Sequence, residues 1–154
     1  MKRLSLLKMI SSAALFSIAS SNVAFANNGV KMELITNKVV KEERGKTVYV
    51  PVRTASAGTI IQYKATYTNT LAQDINDLTV TLPIPSSMTF TGEAYPISAQ
   101  ASTDGKNYAD MPLMRQLAGK VIKTPLSEYR YVRWNIKFLP AKKTATVSLN
   151  TIVN

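Results

Sequence analysis

Tyr129, Tyr131, Arg133 and Lys137 fall at even spacings in the stretch "YRYVRWNIKF". In extended backbone, residues two apart share a face, so this spacing sets two phenols, a guanidinium and an ammonium in one row opposite Trp134. An aromatic and basic row of this kind can stack on a sugar or meet an anionic polymer. The same residue types also suit a wet sheet face with nothing bound to it, because cross-strand pairs favour them there.

Other chemistry finds little support in the chain. It contains no His and no Cys, which removes the usual general base, the soft metal ligands and every Ser-His-Asp or Cys-His arrangement. No Ser-X-X-Lys stands at a helix start after the first 26 residues, so a serine-lysine pairing has no framework. Glu42 and Glu43 are adjacent and would point to opposite sides of an extended chain, whereas a glycosidase pair converges from separate strands. Asp74, Asn76 and Asp77 in "QDIND" offer oxygens but lack the regular spacing and glycine of a calcium loop, which leaves an Asx turn. The six glycines are isolated, so no phosphate cradle is formed. The sequence therefore implies no catalytic residues, no metal and no cofactor, and the chain is not expected to be an enzyme.

The elements that would position the row begin after an address label. Lys2, Arg3 and Lys8 precede an uncharged run from Met9 that closes in Ala24-Phe25-Ala26, the pattern of a secretory signal peptide over residues 1–26. Six Ser and Asn residues dilute that run below what a spanning helix of about 20 residues requires. Cleavage after Ala26 leaves 128 of the 154 residues, a single domain over 27–154. No second hydrophobic span follows, so a soluble product without a transmembrane anchor is expected. Without cysteine it has neither disulfides nor a thioether-linked lipid. The expected address is the bacterial periplasm, with the cell surface or medium as the alternative.

Three of the 19 Lys and Arg lie in the leader, so 16 remain against 9 Asp and Glu. That surplus attracts anionic surfaces, although scattered charge is also ordinary on a soluble protein. Export argues against nucleic acid and leaves an envelope protein or an anionic polymer as partner, with the oligomeric state open.

Along the remaining chain, short alternating stretches are separated by turn signals. "VKMELI" and "TVYVPV" read as strands around the turn "KEERGK", and "TIIQYKATYTNT" is the longest clean strand of the first half, with Ile61, Tyr63, Ala65 and Tyr67 dry. "LTVTLPIP" aligns Leu78, Val80, Leu82 and Ile84, with Pro83 and Pro85 at a strand end or edge. "SMTFTG" turns Met88 and Phe90 inward, and Asp104-Gly105 is the favoured centre of a tight hairpin turn. "MRQLAGKVIKTPLSE" fits neither period and reads as loop with one helical turn. "YRYVRWNIKF" puts Val132, Trp134, Ile136 and Phe138 on one face, and "TATVSLNTIV" adds Ala145, Val147 and Leu149. About seven or eight such strands, with no long helix, predict a single immunoglobulin-like antiparallel β-sandwich. Trp134 is its expected core plug, with Tyr63 and Tyr67 packed beside it and their hydroxyls reaching a loop or the rim.

The series "YKATYTNT", "PIP", "STDGK" and "YRYVRW", in that order and spread over nearly all of 27–154, resembles the conserved-repeat domain of unknown function that bacterial exported and cell-surface proteins carry. The resemblance implies an immunoglobulin-like sandwich, an envelope location and a non-catalytic interaction or structural module, with no catalytic or ligand-binding residues to carry over. The chain departs from that pattern at "ASAGTI", where Pro-Gly-Asp commonly opens the strand, and in having one copy in place of a tandem array. A carbohydrate-binding or anionic-polymer-binding module using the basic and aromatic row is the alternative.

Overall fold

Alternation of dry and wet side chains becomes strand along most of the chain. The computed structural model describes residues 16–17, 26–27 and 29–154; the predicted leader lies outside these residues apart from two short ladders. These are β1 (Phe16–Ser17) and β2 (Ala26–Asn27). They are followed by β3 (Val30–Lys41), β4 (Thr47–Pro51), β5 (Thr54–Ala55), β6 (Ile60–Asn69), β7 (Ile75–Pro83), β8 (Met88–Tyr95) and β9 (Gln100–Ser102). Then come β10 (Ala109–Asp110), β11 (Met114–Leu117), β12 (Lys120–Lys123), β13 (Tyr131–Leu139) and β14 (Thr144–Val153), with a 3₁₀ turn at Leu126–Glu128 before β13. Among the described residues no helix is long and apolar enough to cross a membrane.

Two antiparallel sheets share one core in a sandwich-like arrangement. The larger runs β2-β3-β6-β14-β8, with β4 also on β3, and the smaller runs β10-β9-β13-β7. Ala65 and Tyr67 of β6, Phe90 of β8 and Val147 and Leu149 of β14 face Val80 and Leu82 of β7, Ala101 of β9 and Val132 and Trp134 of β13. Burial of such apolar surface is the main stabilising contribution. Trp134 is 3% exposed and donates its indole N–H to the Pro96 carbonyl at 2.9 Å. Burial pushes the Tyr67 phenol up to about 12, so it stays neutral in the core. The Tyr63 hydroxyl reaches Met88 Sδ of β8 at 3.2 Å in a half-buried contact.

Three local expectations are corrected. "MRQLAGKVIK" is not loop: β11 and β12 pair from Met114 with Lys123 to Leu117 with Lys120, closed by Ala118 and Gly119, both at positive φ (49° and 76°). Two such residues make the tight turn that matches strand twist. The predicted helical turn appears just beyond, at Leu126–Glu128. Phe138, expected inside, is 56% exposed, while Leu139 is 1% exposed. The β13–β7 register is the same at Ile136–Leu78, Phe138–Asn76 and Leu139–Ile75, and the ladder skips only the Lys137–Asp77 pair, where Asp77 stands at a φ of 51°; the change of face at Leu139 falls just after that irregular pair. Lastly, Asp104-Gly105 is not the centre of a two-residue hairpin, since the ladder closes at Ala101–Ala109 and leaves a longer loop.

Candidate functional site

Strand β13 lies between β7 and β9, with Arg133 opposite Thr81 and Gln100, and Asn135 opposite Thr79. Because Val132 and Trp134 turn into the core, Arg133, Asn135 and Lys137 emerge on the other face of the sheet. There they join Thr79, Ser98, Gln100 and Asp110 around a hollow of ≈ 520 Å³. Arg133 is held from two sides. Its Nη2 donates to Gln100 Oε1 at 2.7 Å, and its guanidinium carbon stands 3.9 Å from the Tyr108 ring centroid, a cation–π contact. Gln100 Nε2 in turn donates to Asp110 Oδ1 at 3.1 Å.

A guanidinium carries five N–H donors, and among the described residues only Gln100 takes one from Arg133. Lys137 meets Asp77 Oδ1 at 3.4 Å, with both side chains open to water, a geometry that contributes about 0–1 kcal/mol at most. The hollow thus presents two cations against one lining carboxylate, Asp110. A phosphate or carboxylate entering it would meet a fixed planar donor set and a mobile ammonium.

The aromatic half of the expected row is taken up by the protein itself. Tyr129 is not on the surface: it is 1% exposed, its ring stacks on Phe90 with centroids 5.7 Å apart, and its hydroxyl accepts the Leu113 backbone N–H at 2.6 Å. Strand parity does not reach back to it, because β13 begins only at Tyr131 and Tyr129 closes the 3₁₀ turn. Tyr131 keeps its outward register but is partly covered. A Cβ built on Gly105 would come within 2.8 Å of the Tyr131 ring, so the loop backbone lies against that ring, and only glycine fits there at a φ of 75°. The row reduces to Arg133 and Lys137.

That covering loop is fastened by Asp104. Its carboxylate accepts the backbone N–H of Asn107 and of Lys106, the Asn107 side-chain amide and the Ser102 hydroxyl. These bonds, the backbone ones foremost, hold its carboxyl well below the usual carboxylate range. Tyr108, Gln100 and Asp110 escaped the sequence reading because the hairpin was centred too tightly. With the ladder closing at Ala101–Ala109, Tyr108 becomes the loop residue next to the strand that meets Arg133.

Asp74 and Glu42, weighed from the sequence, lie away from this hollow. Asp74 Oδ1 accepts the Ala141 N–H at 2.8 Å and so joins two loops. Glu42 belongs to the β3–β4 turn, where its carbonyl accepts from Gly45 and its N–H donates to Lys46. Among the described residues no group of three or more acidic side chains is placed to hold a metal ion. Compared with protein-family models, curated proteins and solved structures, the chain matches none of them.

Proposed function

We propose that this chain is an exported, non-catalytic protein of the bacterial envelope, whose immunoglobulin-like β-sandwich acts as an interaction module and receives an anionic envelope polymer in the Arg133 and Lys137 hollow. The observation that carries this reading is the pair of cations four positions apart on one strand face, both lining one depression. The surplus of 16 Lys and Arg over 9 Asp and Glu that remains without Lys2, Arg3 and Lys8 supports it by raising the local concentration of anionic partners. The leader-like residues 1–26 and the likeness to the conserved-repeat domain support the export step and the envelope address, periplasmic or at the cell surface. Stacking of a sugar on Tyr129 and Tyr131 is set aside, because one ring is buried and the other has the Gly105 backbone lying against it.

Protein recovered from the envelope fraction is expected to begin at Asn27 by mass spectrometry; retention of Met1 would contradict export. In that form it is expected to bind phosphorylated lipopolysaccharide or a teichoic-type polymer, weakening steeply as the Debye length falls from about 8 Å at physiological ionic strength to about 3 Å at 1 M. Arg133→Glu combined with Lys137→Glu should abolish the binding while Trp134 emission stays unchanged. Binding indifferent to salt, or surviving the double reversal, would contradict the proposal.

A further inference from the structure

The outer face of the larger sheet carries a second hollow with different chemistry. Register places Asn37 opposite Gln62, Gln62 opposite Asn150, and Lys64 opposite Ser148 across β3, β6 and β14. Tyr49 comes from β4, outermost on one side, and Tyr95 from β8, outermost on the other. Four strand spacings separate those strands, on the order of 19 Å along the sheet. Both tyrosines nevertheless line one depression of ≈ 460 Å³, with Asn37, Gln62, Lys64 and Ser148 among its other walls. A smaller recess of ≈ 130 Å³ shares Tyr49, Gln62, Tyr95 and Ser148 and extends to Glu93 and Asn150. The larger volume falls within the roughly 300–1,000 Å³ typical of ligand sites.

The lining selects for a neutral, hydroxyl-rich ligand. Tyr49 and Tyr95 are 49% and 66% exposed, offering two flat, amphipathic ring faces outside the core. Between them the amides are only loosely engaged with one another. Asn37 Nδ2 reaches Gln62 Oε1 at 3.4 Å, and the Gln62 amide donors and the Ser148 hydroxyl have no partner among the described residues. Glu93 Oε2 accepts from Asn150 Nδ2 at 2.6 Å, which leaves Glu93 Oε1 and Asn150 Oδ1 as acceptors. Lys64 and Glu93 balance in charge, so a polyanion gains nothing here that the Arg133 hollow does not offer better. An apolar segment would strand the amides without partners, which is costly.

We propose that this face binds a neutral glycan chain, with Tyr49 and Tyr95 stacked on sugar rings and Gln62, Ser148 and Asn150 bonding its hydroxyls. The site stands on the opposite sheet from Arg133 and does not rest on the anionic-polymer reading. Cellohexaose, chitohexaose and maltohexaose titrated into the purified protein by calorimetry provide the test. At least one is expected to bind, with an affinity unchanged at about 0.5 M salt, where exposed charges are screened. Tyr95→Ala and Tyr49→Ala should each weaken it by about tenfold or more, a loss that calorimetry resolves directly. Both rings lie outside the core, and unchanged Trp134 emission reports an intact fold. Absence of binding by all three probes at about 10 mM, a weak limit on the affinity scale, would overturn the proposal. So would affinity unchanged when Tyr49→Ala and Tyr95→Ala are combined, or a dimer that Tyr95→Ala dissociates while no glycan binds.

Discussion

Trp134→Ala is expected to lower stability by about 3–5 kcal/mol, the range for deleting a large buried aromatic side chain. The indole is 3% exposed and sits among Val80, Leu82, Phe90 and Val132 from both sheets, so truncation leaves a cavity that neither sheet can close without moving the other. It also removes the donor that the Pro96 carbonyl accepts at 2.9 Å, one hydrogen bond of about 1 kcal/mol. Against a total stability of about 5–15 kcal/mol for an ordinary domain, that loss places the variant near unfolding at moderate temperature. Urea denaturation followed by circular dichroism gives the midpoint shift. The single tryptophan of the chain makes wild-type fluorescence an independent check: its emission is expected at the short wavelengths of a dry indole. A water-exposed emission or an unmoved midpoint would refute the packing described.

Asn69→Ala comes second, at about 2–3 kcal/mol, the penalty for buried polar groups left without partners. Asn69 is fully buried at the end of β6. Its amide donates to the carbonyls of Gln73, Leu139 and Pro140 at 2.9, 3.1 and 3.2 Å, and its Oδ1 accepts the Leu71 N–H at 2.9 Å. One side chain thus ties together the β6–β7 and β13–β14 connections, each of which passes between the two sheets. Asn69→Asp should be worse at neutral pH, since a carboxylate cannot donate to three carbonyls and loses its hydration. Burial raises the folded pKa of such an acid above its unfolded value of about 3.9. The added destabilisation is therefore full above the folded pKa and disappears as pH falls below the unfolded one. Equal stability of the Ala variant and wild type would show that water replaces these bonds.

What could be read in advance was whatever alternates against one dry face. Ile61, Ala65 and Tyr67 of β6, Val80 and Leu82 of β7 and Trp134 of β13 were legible for that reason, and all are buried. Arg133 and Lys137 were legible as their outward counterparts. The β11–β12 hairpin was not, because Met114, Leu117 and Val121 are 53%, 57% and 62% exposed. A projecting arm has no dry face to impose a period, and Ala118 is an uncommon residue for the left-handed turn it occupies. Tyr129 misled for the opposite reason, keeping the spacing of a strand just before the strand starts. The Tyr49 and Tyr95 hollow depends on pairings among β4, β3, β6, β14 and β8, contacts between distant parts of the chain that local pattern does not encode.

The most direct test of the proposed function is a nitrogen–proton correlation spectrum of residues 27–154, recorded while a phosphorylated inner-core oligosaccharide of lipopolysaccharide is added at low salt. The account predicts that shifts concentrate on Gln100, Asp110, Arg133, Asn135 and Lys137, the residues that line the basic hollow, and that they fade as salt is raised. Shifts centred on the Tyr49 and Tyr95 face or on the β11–β12 hairpin, with those five residues unmoved, would contradict it.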